Sequence, residues 1–196
     1  MVTKTQEQIL QFLLGRPEER ISIRGIARLL GKSYTLTYNN IQGLLKQGFL
    51  EKQSIPPALM IQLKEDIPNN VLVDIERKIA EAFLEKHSWM KLYLKDVLAA
   101  SPPFFVMLVF GSYAKGTQTI NSDLDLLIIV PKKENIQELE NAAQQYVQVK
   151  KGVIVVDALN FTEMIKNPKE LSVGIEAQKH HVILYGAEQY YRLLKT

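Results

Sequence analysis

Two apolar runs bracket a short polar segment, and that pattern constrains the fold of this chain more than any other. Residues 104–110 run apolar into Gly111-Ser112-Tyr113-Ala114-Lys115-Gly116, and Asp123 and Asp125 precede a second apolar run at 126–130. Short continuous apolar runs closed by turn residues read as buried strands. Residues i and i+2 of a strand leave from one face, so Asp123 and Asp125 project together while Leu124 and Leu126 point into a core. Two carboxylates held that close repel, and a divalent cation is the usual reason to tolerate it. The Gly-Ser turn offers backbone N–H groups to a phosphate at the start of the next helix. Together these features imply nucleotide chemistry.

Composition narrows the alternatives. The chain has 196 residues, 46% hydrophobic and 23% charged, which suits a soluble globular protein of one large or two small domains. It has no cysteine, so disulfides, Cys-ligated zinc and thiol catalysis are excluded. No apolar stretch approaches the length of a membrane span and the first residues lack a signal-peptide core, so a cytoplasmic protein without a membrane partner is expected. The net charge of +3 is unevenly placed: residues 1–66 carry nine Lys/Arg against six Asp/Glu, whereas 67–196 carry fifteen of each. The excess gives the first third a mild preference for an anionic partner.

That first third reads as three helices and a hairpin. Thr3 and Gln6 fit a capping box before Ile9, Phe12 and Leu13, with a stop near Gly15 and Pro17. Ser22 caps a second helix bearing Ile23, Ile26, Ala27 and Leu30, stopped at Gly31. Ser33 caps a third, with Leu36, Ile41, Leu44 and Leu45 as its apolar positions and Gly48 as its stop. Strand patterns at 49–53 and 60–64 flank a loop holding Pro56 and Pro57. This order resembles the winged helix-turn-helix family across residues 3–66. The resemblance implies a recognition helix whose outer face offers Tyr34, Thr35, Thr37, Tyr38 and Asn40 to DNA, with Arg24, Lys32 and Lys46 for phosphates. Winged helices also serve as dimerisation or protein-docking modules, and this helix has no arginine for guanine readout.

Beyond a linker at Ile67-Pro68, helices are expected over a stripe of Leu72, Ile75, Ile79 and Phe83 and over 90–100, the latter stopped by Ser101-Pro102-Pro103. The two strands follow, then a helix over 134–147 using Ile136, Leu139, Ala143 and Tyr146, a strand at 152–157, and helical patterns at 162–180 and 187–195 around an apolar 182–185. No repeat or low-complexity segment interrupts the chain.

Gly111-Ser112, ten residues, then Asp123-Leu124-Asp125-Leu126 resembles the signature of the DNA polymerase beta-like nucleotidyltransferase superfamily, and its wording that of the minimal nucleotidyltransferase branch. The expected fold class is therefore α+β: a winged helix-turn-helix domain (1–66) followed by a small mixed-sheet nucleotidyltransferase domain flanked by helices (67–196). The resemblance implies metal-dependent transfer of a nucleoside monophosphate from an NTP, with ATP the expected donor, to an acceptor hydroxyl. Asp123 and Asp125 would bridge two Mg²⁺ ions. A third carboxylate is implied on a later strand. Asp157 ends the 152–157 strand and is assigned that role, although it could instead cap a loop or pair with Lys150 or Lys151. Gly111 would admit the triphosphate and Ser112 would bond one of its oxygens. Lys115 stands where arginine is common; it either contacts the triphosphate or is solvated, without arginine's bidentate fork.

The remaining candidates are weaker. His180-His181 reads as surface histidines and Tyr190-Tyr191 as helix packing, and no Walker A loop is present. Minimal nucleotidyltransferases often act as antitoxins on a HEPN-type ribonuclease, whereas relatives modify small molecules such as aminoglycosides; with no obvious added substrate domain, the expectation tilts toward a macromolecular acceptor of the HEPN type. Winged-helix regulators are frequently dimers, which points to a homodimer. The competing class is a transcriptional regulator whose second domain binds nucleotide without turnover.

Overall fold

The computed structural model describes residues 2–16, 19–56, 58–99, 104–145, 149–166 and 173–195. Pro17, Pro57, the stop at 100–103, Tyr146 and part of the pattern at 162–180 lie outside them. The chain forms two compact units, Met1–Ile75 and Glu76–Thr196.

In the first unit, α1 (Lys4–Leu14), β1 (Ile21–Ser22), α2 (Ile23–Leu29) and α3 (Tyr34–Lys46) precede the hairpin β2 (Leu50–Ile55) and β3 (Ala58–Leu63). Each helix starts where a side chain satisfies an orphan amide. The Thr3 hydroxyl accepts from the Gln6 amide while the Gln6 side chain accepts from the Thr3 amide. The hydroxyls of Ser22 and Ser33 accept from the Gly25 and Leu36 amides. The sheet runs β1-β3-β2, all antiparallel, with Ile21 opposite Ile61. Helix, short strand, two helices and a hairpin returning beside the short strand make this unit a winged helix-turn-helix. The two-residue β1 is too short to announce itself in the sequence.

The second unit begins within α4 (Asn69–Lys86) and continues through α5 (Trp89–Ala99), β4 (Val106–Phe110), α6 (Gly111–Lys115) and β5 (Leu124–Val130). A 3-10 turn (Lys133–Asn135), α7 (Ile136–Gln144), β6 (Lys151–Asp157), α8 (Ala158–Lys166), α9 (Val173–Lys179), β7 (Val182–Tyr185) and α10 (Ala187–Leu193) complete it. The mixed sheet runs β6-β5-β4-β7: β4 is antiparallel to β5 and β7, and β5 is parallel to β6. Alternation along the strands sorts two layers. Leu124, Leu126, Ile128 and Val130 pack with Met107 and Val109 against Phe83, Met90, Tyr93, Val97, Leu139 and Ala143 of α4, α5 and α7. The intervening residues, Asp125 among them, turn to the opposite face, where α8 meets β5 and α9 and α10 meet β4. The second unit is thus a small mixed sheet flanked by helices.

Candidate active site

Asp125 sits at the start of β5, opposite Phe110, the last residue of β4. The chain turns immediately at Gly111, whose φ of +66° belongs to the left-handed region that glycine tolerates. A Cβ there would overlap the Asp125 carboxylate. On the other side, Gly152 of β6 is the parallel register partner of Asp125, and a Cβ at 152 would stand 3.1 Å from Asp125 Oδ1. The carboxylate therefore lies between two stretches of bare backbone. Burial holds the Asp125 carboxyl above the ordinary carboxylate value, and the charges of Asp123 and then Glu176 push the same way, with Lys115 partly offsetting them.

Asp123 shares this end of the sheet and accepts a hydrogen bond from Lys150 Nζ at 2.8 Å. The Leu124 amide donates to the Lys150 carbonyl at 2.8 Å, which fixes the two chains side by side. The bond to Asp123, and then its charge, hold the Lys150 ammonium above the usual lysine value. Lys115, from α6, donates to Glu176 Oε1 of α9 at 2.7 Å. The structure thus gathers Gly111, Asp123, Asp125 and Lys115, with Ser112 beside Gly111 on α6, at one end of the sheet. It adds Gly152 and Glu176, which have no role in the sequence reading, and Lys150, which pairs with Asp123 rather than with Asp157.

Asp157 does not join them. Because β5 and β6 are parallel, Asp125 pairs with Gly152 and Asp157 pairs with Val130, five residues further on. At about 3.3 Å per residue the third carboxylate lies about 16 Å along the sheet. Asp157 is 3% exposed and caps α8, accepting from the Asn160 amide and its side-chain nitrogen, both at 2.9 Å. Its metal role is withdrawn in favour of the loop-capping alternative.

The expected DNA-facing residues also divide. Arg24, Tyr34, Thr35, Tyr38 and Lys46 are exposed, and Lys32 is half-buried. Arg24, Tyr34 and Tyr38 line one cleft, the two rings stacked with centroids 6.0 Å apart. Thr37 is fully buried, its hydroxyl donating to the Ser33 carbonyl at 3.0 Å. It belongs to the inward stripe Thr37, Ile41 and Leu44, whereas Leu36, expected in the core, is 44% exposed. Asn40 is half-buried and already engaged, donating to the Leu36 carbonyl and accepting from the Thr3 hydroxyl. Thr37 and Asn40 are therefore removed from the DNA-facing set.

His181, expected at the surface, is buried with its side chain 9% exposed. Its Nε2 lies 3.2 Å from Glu76 Oε1, which also accepts from the Tyr191 hydroxyl at 2.7 Å. Tyr190 and Tyr191 are both buried, as their packing reading expects. Among the described residues no helix is long and apolar enough to cross a membrane.

Comparison with known proteins places these observations. No curated protein matches the chain. Solved structures that resemble it include the zinc-responsive MarR family member ZitR of Lactococcus lactis, at 19% identity and a TM-score of 0.38, covering 48% of this chain and 63% of that one. Others are the MepR–DNA complex of S. aureus (16% identity, TM-score 0.35, 50% and 79% covered) and AdcR of Streptococcus pyogenes (21%, 0.31, 52% and 68%). This chain therefore spans less than two thirds of the ZitR chain. The family model described as a nucleotidyltransferase domain matches residues 77–184, more than half of the chain and the stretch that holds the whole Gly111–Asp125 constellation; the chain belongs to that nucleotidyltransferase-domain family.

Proposed function

We propose that the chain transfers a nucleoside monophosphate from an NTP, with ATP as donor, to an acceptor hydroxyl. The observation that carries this reading is the Asp125 carboxylate, seated between the backbones of Gly111 and Gly152 with Asp123 beside it. A half-buried acid kept next to a second acid, with no hydrogen-bonded cation of its own among the described residues, is poised for a divalent ion. Asp123 and Asp125 fit Mg²⁺, which when bound would neutralise the charge that develops on phosphate oxygens. Gly111 leaves room for a triphosphate, the Ser112 hydroxyl donates to it, and Lys115 exchanges Glu176 for phosphate. The acceptor is macromolecular, and the resemblance to the minimal branch favours a HEPN-type protein. Through Arg24, Lys32, Tyr34, Thr35, Tyr38 and Lys46 the winged helix binds DNA, its cations on phosphates and its exposed rings toward the groove. The protein works in the cytoplasm.

One observation favours the second reading, a regulator that binds nucleotide without turnover: among the described residues no third carboxylate completes a metal-holding group. Pyrophosphate release separates the two. The transferase releases pyrophosphate from ATP only with Mg²⁺ and an acceptor, among them the products of neighbouring genes, and the Asp123→Asn/Asp125→Asn variant does not. Nucleotide binding without release for any acceptor, joined to salt-sensitive promoter binding, would favour the regulator.

A further inference from the structure

Among the described residues, too few acids reach this site for the two-ion arrangement that the family resemblance implies. Two divalent ions about 3.5–4 Å apart repel strongly and need carboxylates that bridge them and a further acid on the second ion. Here Asp157 is spent on capping α8 at the far end of β6. The position beside Asp125 on that strand is Gly152, which offers no side-chain carboxylate. Glu176, the other carboxylate whose charge reaches Asp125, is tied to Lys115 at 2.7 Å. Among the described residues no group of three His, Asp or Glu side chains is placed to hold a metal. What does stand beside the pair is a cation of the chain itself, the Lys150 ammonium 2.8 Å from Asp123 Oδ2.

We propose that the site takes one divalent ion with its nucleotide, and that the Lys150 ammonium occupies the side of Asp123 where a second ion would bind. The register of β5 and β6 builds this in, because it carries Lys150 alongside Asp123 and glycine alongside Asp125. The inference rests on the nucleotidyltransferase reading of the same residues. It makes Lys150 a positioning residue that sets the number of ions.

The test is Mn²⁺ binding by the full chain with a non-hydrolysable ATP analogue, read by calorimetry for stoichiometry and by electron paramagnetic resonance for spin coupling. The expected result is one Mn²⁺ per chain with an uncoupled six-line spectrum. Lys150→Glu supplies an acid where the ammonium stood and should bring in a second, spin-coupled Mn²⁺. Lys150 is 82% exposed in its side chain, so this variant leaves the fold intact. Two coupled ions in the unaltered chain, or one ion in both proteins, would overturn the inference and leave the transferase reading standing. A chain that binds neither the analogue nor Mn²⁺ would overturn both.

Discussion

Asp125 concentrates the cost of the site in one side chain. Burial, Asp123 and Glu176 all raise its carboxyl above the ordinary value, so the ionised form is disfavoured in the folded protein. That cost is present above the folded value and disappears as pH falls below the unfolded value near 4. Asp125→Asn should therefore melt at a higher temperature than the unaltered chain at neutral pH, with the gain fading in acid. The same variant should lose more transfer activity than the ~10–100-fold typical of an outer-shell metal partner. Melting curves across pH and a transfer assay check both halves; a gain equal at every pH would contradict the electrostatic cause. Asp125, Asp123 and Gly111 were legible in the sequence because their spacing is local. Glu176 was not, since nothing near it signals that α9 delivers it to Lys115, 61 residues away.

Elements explain the main error of the sequence reading. The crossover through α7 makes β5 and β6 a parallel pair, so strand starts meet strand starts. Asp125 opens β5 and Asp157 closes β6, and the two must lie at opposite ends. The signal was present in the 124–157 pattern and needed the crossover rule to be used. A similar one-residue phase error put Leu36 inside and Thr37 outside on α3, because a step of one on a helix rotates a side chain by about 100°. Two contacts between elements escaped the sequence for want of any local pattern. The buried Tyr93 hydroxyl of α5 donates to the Ala143 carbonyl of α7 at 2.8 Å. Tyr93→Phe removes that buried hydrogen bond and should cost about 1–3 kcal/mol in chemical denaturation. At His181, burial pulls the imidazole down, but the Glu76 charge and hydrogen bond, with bonds that the ring donates to the backbone of Ala177 and Gln178, raise it overall. A raised folded value gives stability that is full below the unfolded value of 6.5 and lost as pH rises through the higher folded value. The advantage of the unaltered chain over His181→Gln should therefore shrink from pH 6 to alkaline pH in the same denaturation experiment.

At the scale of the whole molecule, two units of different chemistry share one chain. The winged helix was legible from its caps, with Thr3, Ser22 and Ser33 each opening a helix as expected. The nucleotidyltransferase fold was legible from its motif, whereas sheet order and register come only from packing. The functions should separate by substitution: Arg24→Ala should weaken DNA binding roughly evenly across sequences and reduce its salt slope by about 1, leaving transfer unchanged. A slope that does not move would take Arg24 off the DNA face. The central claim, attack at the α-phosphorus directed by Asp123 and Asp125, is tested most directly by where a label goes. With Mg²⁺ and the products of neighbouring genes as acceptors, label from α-phosphorus-labelled ATP should become covalently attached, label from γ-phosphorus-labelled ATP should not, and Asp123→Asn/Asp125→Asn should abolish the transfer. Attachment of the γ-label, or α-label transfer that survives in the double variant, would contradict it.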